Sequence, residues 1–573
     1  MWSRHPGRIS SLRTVGVLSV AVTAVVASAP AATAAPAAGQ TSTTEYVVAF
    51  SGSPEAASSA IQAAGGSIQD VTEQVGVALV TSDNAAFLDA VRAQDDITGA
   101  ALNHAVGTSR PGMPHRFAEE RPPSDRSGGG PGHGVGSPGR GHGSEPLADL
   151  QWNMQMIGAT PDAAQRRATG KGVDVGIMDT GIDASHPDLA KNFDLERSRN
   201  FTTDIPDIDG PCEVESCVDP ANVDDGGHGT HVAGIVAADD NGFGIGGVAP
   251  DATLVNVRAG QDSGYFFLYE TVAALVYSGD IRLDVVNMSF YTDPWLYNCT
   301  SRDEYLDGDV TDEELAEQGL VRQLVTGAVD YAHDRGVTLV ASAGNGFTDL
   351  AAPTRADETS PDYPPDTARS RVVANTCLSL PVEAPHVIAV SAVGPSTTKA
   401  DYSNYGLGDI DIAAPGGWFR DQLGTPAFQT PGNMILSSYP LQVAIAEGLA
   451  DENGVPTDEF SVQFCDDRGV CGFYTYLQGT SMASPHVAGV AALIIDESGR
   501  ATGHGGRALD PATVARVLAR TAADHACPAG GVEDYSDEGR DPALFNAVCE
   551  GTTDVNGLYG EGIVDAEAAV GGW

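Results

Sequence analysis

An α/β protein with a mostly parallel sheet is predicted by two passages between strand and helix and by the small unit that precedes them. In the first, residues 173–178 (VDVGIM) form a short apolar strand that ends at Asp179 in a Gly-bearing turn. Residues that carry chemistry collect at the carboxyl ends of parallel strands. In the second, residues 479–489 (GTSMASPHVAG) set a hydroxyl among small residues where an apolar helix begins, and the run continues through 490–495 (VAALII). Thr480 and Ser481 suit a helix entry, and Pro485 lies close enough to the first turn to be tolerated, so Ser481 is expected at the helix's positive end. Ahead of both, residues 41–107 read as mixed α and β, with EYVVAF (45–50) and VGVALVT (75–81) as strands and Ala-rich stretches around 56–64 and 85–93 as helices.

A serine is nearly inert near neutral pH without a base and a group that orients the base. Both lie upstream. In DDGGHGTHVAG (224–234) glycines give way to a small-residue helix with His228 at its mouth, and Asp179 precedes it in the chain. Each residue also has a plain structural reading: Asp179 as a turn former, His228 as a solvated loop histidine, Ser481 as a helix cap. His228 and His231, three apart on a helix, allow a metal pair, but the zinc-protease pattern HExxH is absent. The joint order of acid, histidine and serine is what points to nucleophilic hydrolysis, because the same three groups occur on unrelated folds in different chain orders. An α/β-hydrolase would require GxSxG, whereas position 483 is Ala.

The blocks around Asp179, His228 and Ser481 resemble the three signature blocks of subtilisin-like serine proteases, the peptidase S8 family. ASAGN (341–345) resembles the family's oxyanion-hole segment, and VVNMS (285–289) the strand that lines its primary specificity pocket. The resemblance implies a three-layer α/β fold, its mostly parallel central sheet flanked by helices, preceded by a small α+β ferredoxin-like propeptide domain. It implies that Ser481 attacks the scissile carbonyl, that His228 takes and later returns the proton, and that Asp179 orients the imidazole. Asn345 is then an oxyanion donor beside the Ser481 N–H, a donor whose loss typically costs about 100- to 1,000-fold in turnover. Ser263, Gly264 and Tyr265 and, opposite them, Ser289, Phe290 and Tyr291 resemble the segments that sandwich an extended peptide by adding it as a strand. Ser342, Ala343 and Gly344 line the other pocket wall. Tyr291 stands where many members have Gly, which leaves the side-chain preference open. Sedolisin-like relatives replace the histidine by glutamate and the asparagine by aspartate, so His228 and Asn345 argue against that branch.

Arg4, Arg8 and Arg13, the apolar run 15–26 and the A-x-A-like sites within 32–35 read as a secretory signal peptide, residues 1–35. An exported, extracellular protein without a membrane-spanning mature form is expected. Residues 41–107 resemble the inhibitory (I9-like) propeptide of the family, which implies a self-processing precursor. Residues 108–146, rich in Gly, Pro, Ser and His, are a linker that cannot bury a core. From 147 to 573 the chain reads as one peptidase unit with long acidic insertions at 202–225, 293–320, 347–384 and 418–472, and NGLYGEGIVDA (556–566) resembles the family's closing segment.

Eight cysteines suit an oxidising compartment. Close spacing suggests Cys212 with Cys217 and Cys465 with Cys471; Cys527 with Cys549 and Cys299 with Cys377 complete one set among 105 connectivities. The net charge is −46, and 9 basic and 12 acidic residues precede Leu147, so the acidic excess belongs to the peptidase unit. Nucleic-acid binding is disfavoured for want of basic patches. The expected partners are protein or peptide substrates and the chain's own propeptide, acting on a monomer. No cofactor is required for the chemistry. Structural calcium is implied by the resemblance, with acidic loops such as 303–312 as oxygen donors.

Overall fold

The computed structural model describes residues 44–103, 145–307, 310–358, 370–502 and 506–572. The expected signal peptide, the end of the expected propeptide and nearly all of the expected linker lie outside these residues.

The small unit runs β1 (Thr44–Phe50), α1 (Pro54–Ala63), β2 (Ser67–Thr72), β3 (Val77–Ser82), α2 (Phe87–Arg92) and β4 (Ile97–Leu102), with an antiparallel sheet ordered β2-β3-β1-β4. Helix α1 starts where Pro54 follows Ser53, whose hydroxyl accepts from Ala56 N. Strand β1 is apolar at successive positions because both its faces are covered. Tyr46, Val48 and Phe50 pack on Ile61, Phe87 and Val91 of the unit's own helices, while Val47 and Ala49 enter a core shared with Leu268, Leu320 and Leu324 of the larger unit. The surface they meet is made by α5 (Leu268–Asp280) and α6 (Asp312–Asp334). Polar pairs rim this contact. Asn103 Oδ1 accepts from Tyr269 N at 3.1 Å and its Nδ2 donates to the Glu270 carboxylate at 3.2 and 3.3 Å. Gln74 Nε2 donates to Asp280 Oδ2 at 2.6 Å, and Arg92 makes two bonds of 2.8 Å to Glu313.

The larger unit begins with α3 (Trp152–Met156) and is built on seven parallel strands: β5 (Asp174–Met178), β6 (Arg199–Asn200), β7 (Thr253–Arg258), β8 (Val285–Met288), β10 (Thr338–Ser342), β13 (Val387–Val393) and β14 (Ile412–Pro415). Their order is β14-β13-β10-β8-β5-β7-β6. Parallel strands covered on both faces read as continuous apolar runs, and Val175, Ile177, Met178, Val285, Val286 and Met288 are all fully buried. Helices α4 (His228–Ala237) and α8 (Thr480–Ser498) pack side by side on one face, with α9 (Pro511–Thr521) against α8, and α5 and α6 cover the other. The three-layer α/β expectation is thus met.

The insertions form structure of their own. Strands β9 (Tyr305–Asp307), β11 (Thr354–Glu358) and β12 (Ser370–Ala374) make one small sheet, and β15 (Ile435–Ser438), β16 (Ser461–Cys465) and β17 (Cys471–Leu477) another, beside α7 (Leu441–Ala446). All four expected disulfides are present: Cys212–Cys217, Cys299–Cys377, Cys465–Cys471 and Cys527–Cys549. Among the described residues no helix is long and apolar enough to cross a membrane.

Lys399 is a fully buried cation in this core. Its Nζ donates to the Ala400 carbonyl at 2.8 Å and lies 5.1 and 5.5 Å from the ring centres of Tyr405 and Tyr535. Burial pulls its pKa from 10.5 down to about 7, against the attraction of Asp401 and Glu533. Between those values the unfolded chain holds a proton that the folded chain has released, so this residue's contribution to stability is complete above pH 10.5 and is lost as pH falls toward 7. Lys399→Met removes that dependence, which at 1.36 kcal/mol per pKa unit amounts to several kcal/mol across the window. Denaturant unfolding is expected to place Lys399→Met above its parent in stability at pH 7, with the gap closing toward pH 10. A gap independent of pH contradicts it.

Candidate active site

Strand register sets the level at which the site is built. Met178 pairs with Met288, and Met288 with Ala341, so Asp179, Ser289 and Ser342 leave or end three adjacent strands side by side at their carboxyl ends. Asp179 follows β5 directly and is fully buried. Its Oδ1 accepts from His228 Nδ1 and from Thr180 N, both at 2.8 Å. Burial pushes the Asp179 carboxyl above its ordinary range, and the charge and hydrogen bond of His228 oppose the push.

His228 opens α4 behind Gly227, which has a φ of +83° and no room for a Cβ beside the Tyr439 ring. One residue on, a Cβ at Gly229 would lie 2.1 Å from the Gly181 carbonyl oxygen. Helix and post-strand turn therefore approach at a distance that glycine alone permits, and this brings the imidazole onto Asp179. Asp224 fastens the same junction. Its Oδ1 accepts from Thr180 Oγ1, Gly226 N and Gly227 N at 2.9, 3.1 and 2.8 Å, and its Oδ2 from Thr230 N and Oγ1 at 2.9 and 2.6 Å.

Ser481 is the second residue of α8, as the sequence predicts, and Pro485 falls in the helix's second turn, where the helix tolerates it. A proline there cannot donate to the carbonyl four residues back. That carbonyl belongs to Ser481, and it accepts instead from Ser289 Oγ at 3.0 Å. Ser289 Oγ also meets Ser484 Oγ at 2.9 Å and accepts from Asn287 Nδ2 at 2.8 Å. The Ser481 hydroxyl points to the Ser289 carbonyl at 3.5 Å. At the head of the same helix Asn345 Oδ1 accepts from both Thr480 N and Thr480 Oγ1 at 2.9 Å, while Thr480 Oγ1 accepts from Gly344 N at 3.0 Å. With the oxygen of the half-buried Asn345 committed to Thr480, its amide Nδ2 is the group left to donate.

The residues expected to bind substrate divide into two kinds. Ser289 and Phe290 are buried, the latter stacked on Phe266 with ring centres 3.9 Å apart, so their side chains are committed to the fold. Tyr291 is half-buried. Gly264 turns the opposite segment at a φ of +87°. Ser342 and Ala343 are buried at the end of β10, and Gly344 takes a φ of +100° where a Cβ would strike Asn404 Nδ2. Thr480, Asp224 and Asn287 hold these groups; the sequence marked Thr480 only as a helix-entry residue and did not single out the other two.

The histidine pair does not form a metal site. His231 Nε2 lies 3.2 and 3.1 Å from the carbonyls of Ile435 and Thr475, which can only accept, so this nitrogen is a donor in the core. In the loop 303–312, Glu304 accepts from Thr300 N and Ser301 N at 2.6 and 2.8 Å and Asp312 pairs with Arg302, while the cysteines that approach Glu304 are joined in a disulfide. A stronger convergence of acids is that of Asp204, Glu213, Asp219 and Asp262.

Comparison with known proteins agrees with this architecture. The subtilase (peptidase S8) family model matches residues 170–562. The chain is 28% identical over 373 residues to fervidolysin of Fervidobacterium pennivorans, covering 64% of this chain and 40% of that protein. It is 28% identical over 331 residues to thermitase of Thermoactinomyces vulgaris, covering 58% and 77%. The chain thus spans less than half the length of the first relative. The solved structure of the epidermin leader peptide processing serine protease from Staphylococcus aureus shares the fold, with a TM-score of 0.58 at 19% identity over 92% of this chain and 98% of that one. The chain belongs to the subtilase family of serine endopeptidases.

Proposed function

We propose that this chain is an exported endopeptidase, made as a precursor, that cleaves peptide bonds through Ser481, His228 and Asp179. The observation that carries the reading is the buried 2.8 Å bond from His228 Nδ1 to Asp179, on a helix packed along the one that carries Ser481 in its first turn. Ser481 Oγ adds to the scissile carbonyl as His228 Nε2 takes its proton; the imidazolium, steadied by Asp179, returns that proton to the leaving amine. Water then hydrolyses the acyl ester by the same route. Asn345 Nδ2 and the Ser481 N–H stabilise the oxyanion in both halves. A substrate peptide lies extended between Ser263, Gly264 and Tyr265 on one side and Ser289, Phe290 and Tyr291 on the other, with Ser342, Ala343 and Gly344 lining the pocket for its side chain.

Residues 44–103 act as the intramolecular inhibitor. Strand β4 leads to Asn103, which binds the first turn of α5, the helix that follows the Gly264 segment. Cleavage after this unit, by Ser481 itself, then releases a mature monomer outside the cell. A serine-directed fluorophosphonate tests the central claim: the mature protein is expected to carry one adduct, on Ser481. Matured, folded protein that takes up no label there supports a catalytically silent relative instead.

A further inference from the structure

Asn345 is followed by Gly346, one of four Asn-Gly pairs in the chain, the others being Asn241-Gly242, Asn453-Gly454 and Asn556-Gly557. In such a pair the glycine nitrogen can close a ring on the asparagine carboxamide, because no Cβ shields its approach, and asparagine is a thermolabile residue. The four pairs differ in what that nitrogen does. Gly242 N donates to Glu145 Oε1 at 3.0 Å, Gly454 N to the Asp451 carbonyl at 2.9 Å and Gly557 N to the Glu550 carbonyl at 2.9 Å. Gly346 is exposed, and among the described residues its N–H meets no acceptor. The carboxamides differ as well. Asn556 is 1% exposed, and its amide nitrogen donates to the carbonyls of His525 and Thr552 at 2.7 and 3.2 Å. Asn345 Nδ2 donates to no group among the described residues, so nothing holds the nitrogen that would leave.

The Asn345 oxygen is held as an attacked carbonyl would be. Oδ1 accepts from Thr480 N and Thr480 Oγ1, both at 2.9 Å, and Thr480 is the first residue of α8, at the positive end of a helix of 19 residues. Two donors and a helix terminus aimed at one carboxamide oxygen stabilise the negative charge that gathers there when a nucleophile adds to Cγ, as an oxyanion hole does in acyl transfer. We propose that Asn345 is a site of spontaneous deamidation, through which the protein withdraws one of its own oxyanion donors as it ages. The Gly346 nitrogen bonds to Asn345 Cγ and gives up its proton; the Cγ–Nδ2 bond breaks, and the amide leaves with that proton as ammonia. Water then opens the cyclic imide at one of its two carbonyls, leaving aspartate or its β-linked isomer. Thr480 donates to a carboxylate as well as to an amide, so in the aspartate product the fold keeps this contact. What changes is the other side: the N–H donors give way to an acceptor, and a negative charge stands where another must develop. That consequence rests on the role proposed for Asn345; the modification itself does not.

The test incubates the full chain carrying Ser481→Ala, so that self-digestion does not intrude, in mildly alkaline buffer and follows it by peptide mass mapping. Conversion is expected to run several-fold faster at Asn345 than at Asn241, Asn453 or Asn556, and to slow several-fold when Gly346→Ala is added. Alanine fits there: Gly346 does not use a left-handed backbone, and a Cβ would lie 3.3 Å from Thr348 Oγ1 and 3.4 Å from Asn404 Oδ1. In the active parent, kcat on a short peptide is expected to fall in step with the converted fraction, and Asn345→Asp to lie about 100- to 1,000-fold below the parent with KM within a few-fold. Conversion at Asn345 no faster than at the other three pairs overturns the site. That ranking is read within one chain, so it decides the matter even where Gly346→Ala does not fold. Conversion that leaves kcat unchanged supports the site and overturns its effect on the reaction.

Discussion

Ser481→Ala is expected to lower kcat by a factor on the order of 10⁶, the scale of loss when the nucleophile of such a triad is removed, and to leave residues 44–103 joined to the rest of the chain. The size follows from what stays behind. Asn345, the Ser481 N–H and the peptide-binding segments survive, and these alone sustain about 10³- to 10⁴-fold over water. The fold should hardly notice. Ser481 lies in the first turn of α8, where alanine suits the helix, and the hydroxyl it loses makes one long bond of 3.5 Å to the Ser289 carbonyl. The carbonyl that accepts from Ser289 Oγ belongs to the backbone and remains. Peptide hydrolysis, intact mass and unfolding temperature should therefore separate cleanly: activity lost, precursor uncut, stability within about 0.5 kcal/mol of the parent. Ordinary maturation of the variant on its own contradicts self-processing.

What could be read from sequence were the groups whose chemistry is local. Asp179 at a strand end, His228 behind glycines and Ser481 at a helix entry each declare themselves within about ten residues, and their order joins them. The disulfides were legible for a related reason, since two of the four close loops of five and six residues. The supports were not legible, because each depends on a partner far along the chain. Ser289 acts as the hydrogen-bond donor that Pro485 cannot be, across 192 positions. Thr480 orients Asn345 across 135 positions. Asp224 stands inside a block that was quoted, yet an acid near a helix start reads as a cap until Thr180 is seen beside it. Pro485 is tolerated inside α8, as expected, but what makes it so is the distant Ser289 hydroxyl that supplies the bond a proline cannot. Composition alone does not say which carboxylates of an acidic stretch such as 303–312 converge. There they cap a helix and pair with arginine; at Asp204 and Asp262 two distant segments bring them together.

Asp179→Asn is expected to lower kcat by a factor on the order of 10⁴ while leaving KM within a few-fold and the fold intact. A single atom, Oδ1, accepts both the Thr180 N–H and the His228 Nδ1–H, so an asparagine of nearly the same shape faces two choices. If its oxygen stays in place, both bonds survive and what is lost is the charge that steadies the imidazolium while Ser481 attacks. If the amide turns, its NH₂ meets His228 Nδ1, and the proton moves to Nε2, the nitrogen that must accept from serine. Either way the loss falls on the transition state, because Asp179 is fully buried and has no path to substrate. The comparison with Asp224→Asn makes the assignment specific. Asp224 ties the same turn and helix through five hydrogen bonds but does not bond the imidazole, so its asparagine variant should lose stability first and activity far less. Equal kinetic losses at the two positions, with equal losses of stability, would reduce Asp179 to a structural anchor and take the orienting role away from it.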